Sequence, residues 1–326
     1  MKAQASSTQG PAVLPECWGH RGASATYPEN TLASFGAAMH DGAEGIESDV
    51  HVTLDDVVVM FHDPSLERTT GTKAIIRDSH WHGERGIHQA RTIKTPRQAI
   101  PTFAQTVELL MQPENRHVKF NVDVKVQNDP NRLFRLIHQT IASQPDWETV
   151  LAPRIILGLW HPKFIEPAKT HLPYLKRSHI GISPAFARQW FWDSCDAFSM
   201  SFFSLVTTEG EIFRRDCDRA GKAIMVWTVN LKEEMMEAVR WGVLAILTDN
   251  TRVWLDLRGK LASDFQGTAA VVSGPKYFLW TNWKYYMAPQ LVFSRLNQTY
   301  LIKNGGPFDY SPKPTPSPAS RVAASA

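Results

Sequence analysis

The feature that most limits what this chain can fold into is an alternation. Short apolar runs recur along it, and each is followed by a segment with apolar positions at helical spacing. The strand candidates are Cys17–His20, Gly45–Val50, Lys119–Val126, Arg154–Trp160, Ser178–Ser183, Ala197–Phe203, Ala223–Asn230 and Ala245–Thr248. Amphipathic segments such as Thr31–His40, Phe103–Met111, Leu133–Ala142, Ile212–Ala220 and Leu231–Trp241 lie between them. Parallel strands need a long crossover connection, usually a helix, so this rhythm predicts a parallel sheet. Eight such units over about 250 residues predict closure into a (β/α)8 TIM barrel.

One excursion breaks the rhythm. After Gly45–Val50 the chain reads His51-Val52-Thr53-Leu54-Asp55-Asp56-Val57-Val58-Val59-Met60-Phe61-His62. A two-residue turn at Asp55-Asp56 folds Val57–Phe61 back as a hairpin inserted after the second strand. Leu54 then pairs with Val57, and counting outward sets His62 opposite Asp49.

Active sites of such barrels form at the C-terminal ends of the strands, so polar residues there carry the chemistry. The first strand ends in His20-Arg21, the second carries Glu47 and Asp49, and the third carries Asp123 and Lys125. Residues two apart on a strand share a face. Three carboxylates converging on one place are costly unless a cation sits among them. Oxygen-only ligands suit a hard divalent ion, Mg2+ or Ca2+. Such an ion can offset charge on a phosphoryl group, with Arg21 and Lys125 on its other oxygens. His20 and His62 suit a pair of proton-transfer groups for phosphodiester cleavage, since imidazole exchanges protons near neutral pH. Alone, a Glu-x-Asp is usually a salt bridge and a strand-end His is usually structural. Four such signals at strand ends outweigh those readings.

These residues resemble the glycerophosphodiester phosphodiesterase family. The matching text is His20-Arg21-Gly22, Pro28-Glu29-Asn30-Thr31, Glu47-Ser48-Asp49, Val59-Met60-Phe61-His62-Asp63, Leu66-Glu67-Arg68-Thr69-Thr70, Asn121-Val122-Asp123-Val124-Lys125, Trp227-Thr228-Val229-Asn230 and Thr248-Asp249. It runs in order from about Trp18 to Asn250. The resemblance implies an acid/base pair in His20 and His62, and metal ligands in Glu47, Asp49 and Asp123. It implies phosphate contacts from Arg21 and Lys125, and a pocket wall in Trp227. The nucleophile it implies is either the substrate's own glycerol hydroxyl or water. Many members have Glu where Asp123 stands, and a proline where Thr251 stands. Asn30 and Thr31 are expected to cap the first helix, with Glu29 as a supporting residue behind the site. The His80-Trp81-His82 cluster with His88 fits no zinc spacing and is expected in a loop over the mouth.

The remaining expectations concern the ends and the surroundings. Residues 1–14 read as a disordered leader, 15–264 as the barrel, 265–309 as an aromatic and basic extension, and 310–326 as a disordered Pro/Ser/Ala tail. Lys276–Leu296 carries Lys276, Lys284 and Arg295 and no acids among dense aromatic and aliphatic residues, which suits a membrane interface. With the barrel, this layout resembles the fungal phosphatidylglycerol phospholipase C type, to which Gly158-Leu159-Trp160 adds a small likeness. The implied substrate is then a phosphatidylglycerol-like lipid. A soluble glycerophosphodiester, a lysophospholipase D reaction and a non-catalytic lipid-binding barrel are the alternatives. A net charge of +3 provides no basic field for nucleic acid. Cys17, Cys195 and Cys217 lack CxxC spacing, and the first residues lack an apolar signal run. Both point to reduced thiols and an intracellular protein on the cytosolic side, and the Lys276–Leu296 stretch adds the expectation of a peripheral place on a membrane.

Overall fold

The computed structural model describes residues 13–272 and 287–308. Eight parallel strands close a barrel: β1 Glu16–His20, β2 Gly45–Val52, β4 Lys119–Val124, β5 Ile155–Leu159, β6 Lys176–Gly181, β7 Ala197–Ser201, β8 Ala223–Trp227 and β9 Ala245–Thr248. Each pairs in parallel with its neighbour, and β1 meets both β9 and β2, which closes the ring. The short β3, Val58–Met60, lies outside it, antiparallel to β2. Helices cover the outside, among them α1 Leu32–Asp41, α2 Glu67–Thr70 and α3 Phe103–Met111.

The two-residue period of the strands decides what faces where. Cys17, Ile46, Phe120, Val122, Leu157, Phe198 and Val226 point outward and pack against the helices in the main apolar layer. The intervening residues point inward. At the N-terminal end of the barrel the interior is filled by Trp18, Ile156, Ala197, Met225, Ala245 and Leu247. Trp18 requires the glycine opposite it, because a Cβ at Gly45 would sit 2.4 Å from the indole ring. Towards the C-terminal end the inward residues become polar. The filled end leaves chemistry only to the other. All three cysteines are buried free thiols, held in the thiol form by burial, with Cys195 and Cys217 each pushed up to about 12.

The hairpin forms one residue out of the expected register. Val52 pairs with Val58 and Val50 with Met60, so Asp49 faces Phe61 and not His62. The turn is longer by one residue: Thr53 bonds backbone to backbone with Val57 at 3.0 Å, and Asp56 adopts φ +65°. Asp55 stabilises it by accepting from the backbone N–H groups of Trp81 at 2.7 Å and His82 at 3.1 Å. Those residues belong to the segment between β3 and α3, which has its own small core of Val59, Phe61, Leu66, Ile76, Trp81, Ile87 and Ile100. His88 Nδ1 donates within that segment to the Trp81 carbonyl at 2.6 Å.

Several strands end before the expected boundary: β8 stops at Trp227, not Asn230, and β7 at Ser201, not Phe203. Thr251 opens its helix, its hydroxyl donating to Asp41 at 2.6 Å. The extension begins packed on the barrel, with Phe265, Ala269 and Val272 against the main core. Of the aromatic Lys276–Leu296 stretch, residues 276–286 lie outside the described residues, as do the leader residues 1–12 and the tail from 309. Residues 287–296 form the first half of a helix, Met287–Gly305. No described helix is long and apolar enough to cross a membrane.

Candidate active site

The three strands that carry the acids are neighbours in the barrel, and their register fixes the rest. His20 at the end of β1 is level with Glu47, Glu47 with Asn121, and Asp49 with Asp123. Alternation then turns all of them inward at one end. Every predicted site residue lines the same cavity of about 130 Å³: His20, Arg21, Glu47, Asp49, His62, Asp123, Lys125 and Trp227. Asn121, Trp160, Ile180, Ser199 and Leu247 complete it. His80, His82 and His88 are not among its walls; His80 and His82 are exposed, and Trp81 between them packs in the core of the insertion.

Glu47, Asp49 and Asp123 each offer an oxygen within 4.8 Å of the others, and all three are buried. Lys125 Nζ bridges two of them, 2.6 Å from Asp49 and 2.8 Å from Asp123. The Arg21 side chain lies 3.6 Å from Asp49, and its backbone N–H donates to Glu47 at 3.1 Å. Trp160 Nε1 donates to the other oxygen of Asp123 at 2.8 Å. Burial raises Asp49, but Lys125 and Arg21 outweigh it and hold that carboxyl well below the usual range. Burial also pushes Asp123 up, to about 6, with Asp49 adding to the rise against the pull of Lys125. Glu47 rises well above its ordinary value, through burial first and then the charges of Asp49 and Asp123. Three acids thus share two basic side chains, and Glu47 is the one left without a full counter-charge. An all-oxygen, electron-rich, buried set of this kind fits a divalent cation, which would relieve the repulsion and hold Glu47 ionised.

Both imidazoles are backed by a carboxylate. His20 Nδ1 lies 2.7 Å from Asp249, whose oxygens also accept from Ser24 at 2.9 Å and Asn230 at 2.7 Å. Burial raises Asp249, but its bond to His20 dominates and brings it down to about 2. An ionised acceptor takes the Nδ1 proton and leaves Nε2 of His20 facing inward, 3.9 Å from Glu47. His62 Nδ1 lies 2.6 Å from Asp63. Burial lowers His62 below the ordinary imidazole value, with Lys125 and Arg21 pushing the same way against Asp49.

Asp63 does not stand alone. Arg68 on α2 bonds it at 2.5 Å and grips Glu29 with two further contacts of 2.7 and 2.9 Å. Glu29 in turn bonds Arg21 at 2.9 Å. One chain of charges therefore runs from His62 in the insertion to Arg21 on the barrel. Glu29 thus sits between Arg21 and Arg68.

Asn30 departs from its expected role. Thr31 alone caps α1, in a reciprocal pair with Ser34. Asn30, with φ +56°, donates to Asp49 at 2.7 Å and accepts from Ser48 at 2.6 Å. It orients an acid of the cluster. Sequence reasoning assigned no part to Asp63, Asp249, Arg68, Asn121 or Trp160. The adjacency of Asp63 to His62, and an acid directly after β9, were signals for two of them.

Known proteins share this architecture. Residues 20–253 match the model of the glycerophosphoryl diester phosphodiesterase family. A glycerophosphodiester phosphodiesterase of Caldanaerobacter subterraneus subsp. tengcongensis is 26% identical over 245 residues, covering 73% of this chain and 95% of that protein. A phosphodiesterase of Oleispira antarctica, solved with sn-glycerol-3-phosphate as product, superposes with TM-score 0.62 at 20% identity, over 74% of this chain and 96% of the other. A glycerophosphoryl diester phosphodiesterase structure from Silicibacter pomeroyi gives 0.64 at 18% identity, over 76% and 96%.

Proposed function

Because the chain belongs to the glycerophosphoryl diester phosphodiesterase family and is a phosphodiester hydrolase, we propose that it cleaves glycerol-containing phosphodiesters by acid–base catalysis between His20 and His62. The observation that carries this reading is the meeting of two carboxylate-backed imidazoles with a buried acid trio and two cations in one cavity. One imidazole takes the proton of the attacking hydroxyl, and the other protonates the departing alkoxide. Each such transfer is typically worth about 10²–10⁴-fold in rate. Arg21 and Lys125 hold the non-bridging phosphate oxygens. Glu47, Asp49 and Asp123 would hold Mg2+ or Ca2+, which supplies electrostatic stabilisation of the phosphoryl charge. Trp227, edge to face with Trp160 at 5.7 Å, walls the side where the alcohol lies.

The substrate we propose is a phosphatidylglycerol-like lipid at a membrane surface. Support comes from the Met287–Gly305 helix, where Leu291, Phe293 and Leu296 are each more than half exposed, with no acidic residue in the helix. It lies at the cavity's end of the barrel, with Phe293 beside Phe203 after β7 and Tyr300 bonded to Gln127 after β4. A second reading, hydrolysis of water-soluble glycerophosphodiesters, is favoured by the small cavity. The test is turnover of phosphatidylglycerol liposomes and of glycerophosphocholine, with Mg2+, with Ca2+ and with chelator. Turnover of the soluble diester alone would remove the lipid reading. His20→Ala and His62→Ala are each expected to abolish turnover while the melting transition remains. Wild-type rates in both variants would refute the mechanism.

A further inference from the structure

The site is assembled from two parts of the chain. His20, Arg21 and the acid trio come from barrel strands or their ends, whereas His62 and Asp63 begin the segment between β3 and α3, which has an apolar core of its own. Arg68 is one tie between the parts, through Glu29. Lys94 is a second. Its Nζ donates to the carbonyls of Ser24 at 2.7 Å, Ala25 at 2.9 Å and Tyr27 at 3.0 Å, in the loop between β1 and α1. An ammonium carries three N–H donors, and here each meets one oxygen. Three carbonyl oxygens turned to one point suit a cation, because their partial negative charges oppose one another without it.

Both ends of this contact lead to an imidazole of the site. Ser24 Oγ lies 2.9 Å from Asp249 and 2.8 Å from the His20 carbonyl, and the Ala25 N–H donates to the Asp249 carbonyl at 2.9 Å. The loop therefore grips, by side chain and by backbone, the residue that accepts from His20 Nδ1. On the other side, the Ile93 N–H donates to the Thr69 carbonyl of α2 at 2.8 Å, and the Thr92 hydroxyl to the Lys94 carbonyl at 3.2 Å. Arg68, next to Thr69, holds Asp63 behind His62. Lys94 itself is exposed and is not a wall of the cavity.

We propose that Lys94 is a positioning residue, which fastens the insertion to the loop between β1 and α1 and so holds the Asp249 carboxylate against His20. This rests on the phosphodiesterase reading and adds a residue that acts on the reaction from outside the cavity. The test is steady-state kinetics on glycerophosphocholine, or on phosphatidylglycerol liposomes if only the lipid is hydrolysed. Lys94→Met keeps the length of the side chain and removes the ammonium. It is expected to lower kcat about 10-fold or more with little change in KM, because a small misplacement of a proton-transfer group is costly and the cavity walls are untouched. If Lys94 acts through Asp249, the same substitution made in an Asp249→Asn background should cost about threefold or less. n-Propylammonium supplies the part of the side chain that Lys94→Ala lacks, so it should restore that variant's turnover saturably, while tetramethylammonium, which has no N–H, should not. Melting of every variant is followed by calorimetry, and Lys94→Ala carries the comparison should Lys94→Met not fold. A kcat for Lys94→Met within about threefold of wild type, the full loss repeated on Asp249→Asn, or equal effects of the two amines would overturn the proposal. Unfolding of both variants would do the same, by making Lys94 a support of the fold alone. If wild type hydrolyses neither substrate, the phosphodiesterase reading fails and this proposal with it. Turnover that is insensitive to Lys94 leaves that reading intact and removes the proposal alone.

Discussion

Replacing Asp249 by Asn tests whether the carboxylate behind His20 works by charge and by orientation. Asp249 receives three donors: His20 Nδ1 and the Ser24 hydroxyl on one oxygen, and Asn230 Nδ2 on the other. An amide has one acceptor and one donor end, so one existing donor must meet an NH2 group. Asn230 cannot turn to accommodate it, because its own Oδ1 is held by the Thr248 hydroxyl and the Asp249 backbone N–H, both at 2.9 Å. If the amide instead presents its NH2 to His20, the imidazole loses its acceptor and its preferred tautomer. A hydrogen bond to a charged group contributes about 1.5–3 kcal/mol. Loss of about 2–3 kcal/mol from transition-state stabilisation is a fall of roughly 30–150-fold in kcat/KM. Steady-state kinetics on glycerophosphocholine would measure it, with calorimetric melting as the control. The fold should survive, because the site lies at the barrel's end and the apolar layers are untouched. A kcat/KM within about threefold of wild type would refute the reasoning.

Arg68→Ala removes the link between Asp63 and Glu29. Arg68 is half exposed, so stability should change by less than about 1 kcal/mol, while kcat/KM falls about 10-fold or more. Arg68→Lys should not restore it, since one ammonium cannot reproduce three directed contacts; recovery on lysine substitution would contradict the network. His179 gives a pH prediction. It is fully buried, bonded to the Leu159 carbonyl at 2.9 Å and stacked on Phe191 at 3.9 Å, and burial lowers it to about 3. Its folded value lies below the unfolded one, so the unfolded chain binds the proton first. The stability it contributes is complete above about pH 6.5 and is lost as pH falls towards 3, about 3 kcal/mol by pH 4.5. Urea titrations at pH 7.5 and 4.5 should show a smaller difference in His179→Gln than in wild type, and equal differences would reject the assignment. Dialysis against EDTA should abolish turnover and lower the melting temperature, with Mg2+ or Ca2+ restoring both. Full activity after complete removal of the metal would exclude a role for the acid trio as ligands.

What the sequence made legible follows from what repeats in it. The inward-outward alternation of each strand is a local pattern, so eight strands and the faces of Glu47, Asp49 and Asp123 could be read without coordinates. The strand ends could not. Beyond Trp227 the apolar pattern continues through Val229, but Asn230 leaves the strand to hold Asp249 and Thr248. The hairpin register also depended on partners far along the chain. Asp55 is drawn into the turn by the backbone of Trp81 and His82, and no local propensity for a two-residue turn reflects that. Asn30 looked like a cap because Asn and Thr both cap helices. Only the tertiary structure shows Thr31 doing so and leaving Asn30 for Asp49. Residues that touch the reacting groups were visible in the sequence; residues that hold those groups in place were mostly not.

The size of the cavity and the position of the exposed apolar helix bear on different halves of the substrate. About 130 Å³ is well under the roughly 300–1,000 Å³ of clefts that enclose drug-sized ligands. The site can therefore bury a phosphate and a small alcohol, and whatever else the diester carries must stay outside. If that outer group were always small and polar, an apolar surface at the same end of the barrel would have nothing to gain. Leu291, Phe293 and Leu296 are exposed there, at a cost in water that a lipid surface would remove. On the proposed lipid reading, the glycerophosphate half would enter the barrel and the hydrophobic half would remain in the bilayer as the leaving group. Phe293→Glu combined with Leu296→Glu should then reduce kcat/KM on liposomes by about 10-fold or more and leave glycerophosphocholine turnover unchanged. An equal loss on both substrates would show that the helix supports the fold and does not select the lipid.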